Sequence, residues 1–144
     1  MSVQPDEPLV LDTSVMVDLV RNNPSGRQIE HRYALRSRPV QPYISTVTVG
    51  ELLGLARLLR WGAPKLTALQ ALLNQCVQWP AGDRGVIEAY AELFHEMRKR
   101  KRTMGQNDLW IAAKAAGAVL LTGDLDFGWM HPDLIRVEYV PRNP

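Results

Sequence analysis

Cysteine, long apolar runs and net charge are all scarce in this chain, and each scarcity excludes a class of protein. Cys76 is the only cysteine among 144 residues, so no disulfide can form within the chain. No Cys and His residues stand at the spacing of zinc ligands. The formal net charge of +2 is too small to predict a nucleic-acid partner by itself. The composition therefore predicts a protein of a reducing compartment, the cytoplasm.

Uncharged apolar stretches are too short for a membrane segment. A membrane span needs roughly 18 such residues, and the nearest stretch is interrupted by Glu51 and Arg57. Residues 1–8 carry acids and prolines and lack the apolar core of a signal peptide. We expect no membrane association, and the length predicts a single domain over residues 1–144.

Apolar patterning predicts strands that alternate with helices. Short apolar runs predict strands over residues 9–11, 40–45, 77–79, 119–122 and 134–140. Helical spacing and capping residues predict helices over residues 14–21, 25–37, 45–60, 64–76, 83–102 and 107–116. Pro42 restricts the second strand to an edge or shortens it to Tyr43–Ser45. This alternation predicts an α/β fold with a central, mainly parallel sheet.

Acidic residues stand at the edges of apolar segments or inside them, where an unpaired carboxylate is costly. They are Asp12, Glu51, Asp108 and Asp124. Asp12 and Asp124 follow predicted strands, and Asp108 begins a helix that leads back into the sheet, so these three belong at its carboxyl edge. Glu51 shares a helical face with Leu55 and Leu58, which directs it toward the sheet. The four carboxylates are therefore predicted to converge.

Converging carboxylates repel one another unless a cation neutralises them. Oxygen ligands favour hard divalent ions, so Mg²⁺ is the predicted cofactor and Mn²⁺ is an alternative. One ion, or two ions about 3.5–4 Å apart, would activate water and stabilise the leaving oxygen of a phosphodiester. The pattern predicts phosphodiester hydrolysis without a covalent enzyme intermediate.

A basic run in the middle of the chain has two interpretations. It comprises Arg98, Lys99, Arg100, Lys101 and Arg102. Basic residues at the end of a helix interact favourably with the helix dipole and are usually solvated. The same residues would also bind the backbone of an RNA substrate.

Four motifs together resemble a known family. They are Leu-Asp-Thr-Ser around residue 12, a helical glutamate at 51, Asn-Asp-Leu-Trp-Ile-Ala-Ala from 107 and Leu-Leu-Thr-Gly-Asp-Leu-Asp-Phe from 120. They resemble the PIN-domain ribonucleases, and over nearly the whole chain they resemble the VapC toxins of bacterial toxin–antitoxin pairs. The resemblance implies a PIN-like three-layer α/β/α fold and a Mg²⁺-dependent endoribonuclease. It also implies inhibition by a small cognate antitoxin and a homodimer.

The resemblance also implies roles for individual residues. Asp12, Glu51 and Asp108 match the first three family acids, and Asp124 matches the fourth, with Asp126 as an alternative metal ligand. Supporting positions are the hydroxyl residues Thr13, Ser14 and Thr122, which would hold a ligand or a metal-bound water, and Asn107, which would orient its neighbour.

Each acid also has an interpretation without catalysis. Asp12 and Asp108 are suited to capping helices. Glu51 could pair with Arg57, and Asp124 is suited to turn formation beside Gly123.

Two rival functions follow from the same residues. The first is an α/β phosphohydrolase with Asp12 as the nucleophile. Ser14 stands where that enzyme would carry a second acid, and Glu51 would have no role. The second is a non-catalytic metal-binding module that pairs with an antitoxin or with itself.

Overall fold

The central sheet is entirely parallel. In the computed structural model, which describes residues 3–142, the strands are β1 (Leu9–Leu11), β2 (Tyr43–Ser45), β3 (Val77–Trp79), β4 (Val119–Thr122) and β5 (Arg136–Tyr139). They form a five-stranded sheet in the order β3-β2-β1-β4-β5, and every neighbouring pair is parallel. The prediction of an α/β fold with a mainly parallel sheet is confirmed.

Helices cover both faces of the sheet. They are α1 (Thr13–Arg21), α2 (Pro24–Tyr33), α3 (Thr46–Leu58), α4 (Ala63–Asn74), α5 (Arg84–Lys99) and α6 (Gln106–Lys114), followed by a 3₁₀ helix over Leu125–Met130. Alternate residues of β1 point to opposite faces. Leu9 and Leu11 join a core with α1 to α4, whereas Val10 joins a core with α5 and α6. The result is the predicted three-layer α/β/α arrangement.

Two predicted strands are shorter in the structure. β2 begins at Tyr43 because the preceding Pro42 has no amide hydrogen to donate to the ladder. β2 lies between β3 and β1 and is therefore not an edge strand. Of the two predicted effects of Pro42, shortening of the strand to Tyr43–Ser45 is the correct one. β5 begins at Arg136 because the amides of Leu134 and Ile135 donate to the Met130 carbonyl and close a turn.

Among the predicted helices, α2 and α5 differ most at the C-terminal end, where they stop four and three residues early. α2 ends at Tyr33, because Ala34 adopts a left-handed conformation with φ of 49° and its amide donates to the Glu30 carbonyl. α5 ends at Lys99, and Lys101 has φ of 55°. The basic run therefore straddles the end of a helix and does not form a continuous helical face.

The buried face of α3 differs from the predicted one. Its buried residues are Thr48, Leu52 and Ala56, and Leu58 is 77% exposed. Helix α3 therefore turns Glu51 to the side of its buried stripe and not into it. The carboxylate of Glu51 faces the edge of the sheet.

The strand order creates a crevice at the carboxyl edge of the sheet. From β1 the chain proceeds to β2 and β3 on one side, whereas β4 lies on the other side of β1 and continues to β5. In open α/β sheets this change of direction leaves a ligand-binding crevice between the two central strands. No helix within residues 3–142 is long and apolar enough to cross a membrane.

Candidate active site

One pocket at the carboxyl edge brings the predicted acids together. It has a volume of about 480 Å³. Its lining residues are Asp12, Thr13, Ser14, Glu51, Asp108, Gly123, Asp124, Leu125, Tyr139 and Arg142. These residues come from the ends of β1, β4 and β5, from the helices α1, α3 and α6 and from the start of the 3₁₀ helix. The four acids Asp12, Glu51, Asp108 and Asp124 therefore line one pocket.

Asp12 is a buried carboxylate held by two hydroxyl groups. It is 4% exposed, and its Oδ2 accepts hydrogen bonds from Thr122 Oγ1 at 2.7 Å and from Ser14 Oγ at 3.0 Å. Burial raises the pKa of Asp12, and these two hydrogen bonds oppose the rise. Although Asp12 precedes α1, its side chain makes no capping hydrogen bond. Helix capping therefore does not explain this residue.

Thr122 and Ser14 join the ends of the two central strands. Thr122 is fully buried, and its Oγ1 also accepts a hydrogen bond from the Asp124 amide at 3.0 Å. Ser14 Oγ accepts from the Gly123 amide at 3.1 Å. Each hydroxyl therefore contacts the carboxylate after β1 and the backbone after β4. Because the backbone positions both hydroxyls, they orient Asp12 within the crevice.

Glu51 is held by side chains from two other elements. Thr13 Oγ1 donates to Glu51 Oε1 at 2.6 Å, and Asn107 Nδ2 donates to Glu51 Oε2 at 3.4 Å. The amide of Asn107 therefore contacts Glu51, whereas the sequence prediction had it orient its neighbour Asp108. Among residues 3–142 no ion pair joins Glu51 to Arg57.

Asp108 experiences the charge of the whole acidic cluster. It lies in the first turn of α6, whose N-cap is Gly105, so it is not the capping residue. Its pKa is raised from 3.8 to about 6, mainly by burial and then by the negative charges of Asp12, Glu51, Asp124 and Asp126. The contribution of these four charges indicates that the carboxylates are close enough to repel one another.

Asp124 and Asp126 have different positions. Asp124 lines the pocket, and its Oδ1 accepts a hydrogen bond from the Asp126 amide at 2.8 Å at the start of the 3₁₀ helix. Asp126 is exposed and does not line the pocket. Asp124 therefore does have the turn role considered above, and it also faces the site. Of the two residues, Asp124 has the better position for a fourth ligand.

The donor chemistry suits a hard divalent cation, although the side chains do not already enclose one. Among residues 3–142, no three Asp, Glu, His or Cys side chains are grouped closely enough to hold a metal ion. Three of the four pocket carboxylates instead accept protein hydrogen bonds, as described above. Carboxylate oxygens with raised pKa values still favour a divalent cation, since it would relieve their repulsion. Metal binding would require these side chains to turn toward a common point.

An ion pair that was not predicted from the sequence lies beside the acids. Asp18 is 1% exposed and accepts hydrogen bonds from Arg142 Nε at 3.0 Å and Arg142 Nη2 at 2.8 Å. Asn23 Nδ2 donates to the same carboxylate at 3.0 Å. Asp18 lies within the apolar stretch 15–20 of α1, so the criterion applied to the other acids would have identified it. No sequence signal marks Arg142, which approaches through the tertiary fold.

The basic run lies outside the pocket lining. The Arg98 guanidinium lies 5.9 Å from the centre of the Phe94 ring. Arg100 contacts Glu96 at 3.1 Å and Asp133 at 2.7 Å. Arg100 therefore connects the end of α5 to the segment after the 3₁₀ helix. A role of the run in RNA binding stays a prediction.

Comparison with known proteins identifies the family. The PIN domain family matches residues 9–128. Ribonuclease VapC4 from Mycobacterium tuberculosis (strain ATCC 25618 / H37Rv) is 39% identical over 97 residues, which cover 63% of this chain and 72% of that protein.

Solved structures of VapBC proteins share the fold. DNA-bound VapBC from Salmonella typhimurium superposes with a TM-score of 0.74 and 22% identity, covering 92% of this chain and 98% of that chain. VapBC-5 from Mycobacterium tuberculosis, a member of the VapBC family of toxin-antitoxin systems, has a TM-score of 0.64 and 25% identity, covering 94% and 99%. The match of the PIN domain family over residues 9–128 shows that the chain belongs to the PIN domain family.

Proposed function

We propose that this protein is a metal-dependent endoribonuclease and the toxin of a toxin–antitoxin pair. The observation that carries the proposal is the pocket that gathers Asp12, Glu51, Asp108 and Asp124 at the carboxyl edge of the sheet. Membership of the PIN domain family supports nuclease chemistry, and the similarity to a protein named Ribonuclease VapC4 supports RNA as the substrate. The family match over residues 9–128 fits a single nuclease domain over residues 1–144.

The four acids are the proposed ligands of Mg²⁺, with Mn²⁺ as the alternative ion. A bound divalent ion polarises a phosphoryl oxygen and lowers the pKa of a coordinated water. The protein contributes the orientation of the ligands. Thr122 and Ser14 hold Asp12 through Oδ2, and Thr13 and Asn107 hold Glu51.

A cognate antitoxin protein is the proposed inhibitor. The proposal rests on the similarity to two solved structures, one named as a member of the VapBC family of toxin-antitoxin systems and one named as a toxin-antitoxin complex. Since cellular RNA is the proposed substrate, we place the activity in the cytoplasm. The homodimer stays a prediction. Leu53 and Leu58 of α3 are exposed and would offer an apolar surface for a second copy of the chain.

Cleavage of RNA by the purified protein tests the proposal. We expect Mg²⁺-dependent cleavage that EDTA abolishes and that added Mg²⁺ restores. Asp12→Asn should lower the cleavage rate at least 100-fold, because it removes a charged ligand. Asp133→Asn is a matched control, since Asp133 is an exposed partner of Arg100 away from the pocket. Its rate should equal that of the wild type.

The outcomes separate the proposal from its rivals. Full activity of Asp12→Asn would refute the mechanism. A phosphorylated Asp12 trapped during turnover would favour the phosphohydrolase. A protein that binds RNA or a partner but never cleaves, with either Mg²⁺ or Mn²⁺, would favour a non-catalytic module.

A further inference from the structure

Arg142 is the only basic side chain among the residues that line the pocket in the described part of the chain. It follows β5 and lies on the same side of the sheet as the four acids. An RNA strand must bring negatively charged phosphates into this acidic pocket. A fixed cation at the pocket wall would therefore favour substrate binding, since each phosphate contact by a basic side chain adds electrostatic affinity.

The guanidinium of Arg142 is fixed along one edge only. Its Nε and Nη2 atoms donate to the two oxygens of Asp18 at 3.0 and 2.8 Å. This pairing leaves Nη1 and the second hydrogen of Nη2 directed away from Asp18. The side chain of Arg142 is 44% exposed, whereas that of Asp18 is 2% exposed. One edge of the Arg142 guanidinium therefore binds Asp18, and the other edge is accessible to solvent.

The anchor is itself rigid. Asp18 belongs to α1, the helix that follows Asp12, and Asn23 Nδ2 donates to its Oδ1 at 3.0 Å. Because Asp18 is buried and held on both sides, it fixes the guanidinium relative to the first catalytic acid. A guanidinium that is already ordered loses less conformational entropy when it binds a ligand. Ordering at this position is what a substrate-binding cation requires.

Gly123 allows Arg142 to reach this position. A Cβ atom at residue 123 would lie 2.7 Å from Cδ and 2.8 Å from Cγ of Arg142, which is closer than real contacts allow. The stem of Arg142 therefore lies directly on the backbone between Thr122 and Asp124. Glycine at residue 123 keeps the cation beside the acids instead of displacing it.

From these contacts we propose that Arg142 is a substrate-binding residue that holds a phosphate of the RNA strand next to the carboxylate pocket. The inference rests on the proposed function and deepens it. One edge of the guanidinium stays on Asp18, and the free edge donates to phosphate oxygens. The planar fork of arginine suits this double pairing better than the point charge of lysine. Arg142 would thus bind the RNA backbone independently of the metal and of the base sequence.

Steady-state cleavage of a short single-stranded RNA by Arg142→Gln tests the inference. We expect KM to rise about tenfold and kcat to change less than about threefold, because the lost contact binds substrate and does not perform chemistry. The slope of log(kcat/KM) against log[salt] should become shallower by about 0.7, the value for one phosphate contact on a single strand. Arg36→Gln is the matched control, because it removes the same charge from an exposed residue that precedes β2 and lies outside this pocket. Its KM and salt slope should equal those of the wild type.

Two further variants separate binding from structural support. Arg142→Lys keeps the charge but replaces the planar fork with a point charge, which pairs less well with Asp18 and a phosphate at the same time, so its KM should also rise several-fold. If circular dichroism shows that Arg142→Gln does not fold, the KM of Arg142→Lys tests the role of Arg142 instead. Asp18→Asn makes the protein more positive, so a general charge effect would lower KM, whereas loss of the anchor should raise it.

The outcomes distinguish this inference from the proposed function. Wild-type protein that does not cleave RNA with Mg²⁺ would overturn both. Wild-type protein that cleaves, together with an unchanged KM and salt slope in folded Arg142→Gln, would overturn the role of Arg142 alone. An unchanged KM in Arg142→Lys would do the same if Arg142→Gln is unfolded.

Discussion

Asp108→Asn should stabilise the metal-free protein at pH 7.5 and abolish its nuclease activity. Within residues 3–142 no hydrogen bond reaches the Asp108 carboxylate, so asparagine removes a charge without breaking a contact. The pKa of Asp108 is raised from 3.8 to about 6. If the carboxylate were fully shielded, this rise would correspond to about 3 kcal/mol of unfavourable free energy. Asp108 is only half-buried, so solvent screening reduces the expected stabilisation to about 1–2 kcal/mol.

The effect has a defined dependence on pH. Because the pKa of Asp108 is higher in the folded than in the unfolded state, its ionisation destabilises the folded protein above about pH 6. This cost diminishes as the pH falls from about 6 toward 4. Urea unfolding in EDTA should therefore show Asp108→Asn to be more stable than the wild type at pH 7.5. Most of the difference should disappear at pH 4.5.

The control for Asp108→Asn is the same substitution at Asp133. Asp133→Asn makes the same chemical change at an exposed carboxylate whose pKa is lowered by the hydrogen bond from Arg100, so it should not stabilise the protein. If Asp108→Asn were less stable than the wild type in EDTA at pH 7.5, burial and the neighbouring negative charges would not destabilise the ionised Asp108 carboxylate. The electrostatic argument for a cation site would then be wrong.

Three other outcomes follow from the same contacts. Thr122→Val should lower the free energy of unfolding, measured in urea, by about 2–3 kcal/mol, because Asp12 loses its 2.7 Å hydrogen bond. The control is Thr48→Val, at an equally buried threonine whose hydroxyl contact measures 3.4 Å, and it should lower this free energy by less than about 1 kcal/mol. Equal losses in the two variants would contradict this reasoning. Gly123→Ala should displace Arg142, so its KM for RNA should rise as in Arg142→Gln, and an unchanged KM would contradict the close approach. In thermal unfolding, Mg²⁺ should raise the Tm of the wild type at pH 7.5 and have little effect on the Tm at pH 4.5, because protonated carboxylates do not hold the ion. Equal shifts of the Tm at both pH values would mean that the ion binds outside this pocket.

Much of the fold could be predicted from local pattern. The apolar runs that became β1 and β4 have few alternatives to burial, and they occur at the predicted residues. The element ends were less predictable. Ala34 and Lys101 adopt left-handed conformations that end α2 and α5, although neither residue type favours that conformation.

The candidate site could be predicted in part because its acids violate the local pattern. A carboxylate in an apolar segment requires a compensating group, and this requirement identified Asp12 and Asp108 without any knowledge of their distance in space. The direction of each side chain was less accessible. The apolar face of α3 was assigned correctly at Leu52 and Leu55 but not at Leu58, which is apolar and nevertheless exposed.

The amino-acid sequence alone thus determined the alternation of strands and helices and the edge of the sheet at which the acids collect. It also determined the type of ion that these acids would favour. These features are accessible because burial and charge act locally along the chain. Only the tertiary structure determined the partners of each acid. Thr122 reaches Asp12 across 110 positions, and Arg142 reaches Asp18 across 124. Such pairs arise when β4 docks beside β1 and β5 docks beside β4. This step depends on packing of the whole sheet, and no spacing in the sequence reveals it.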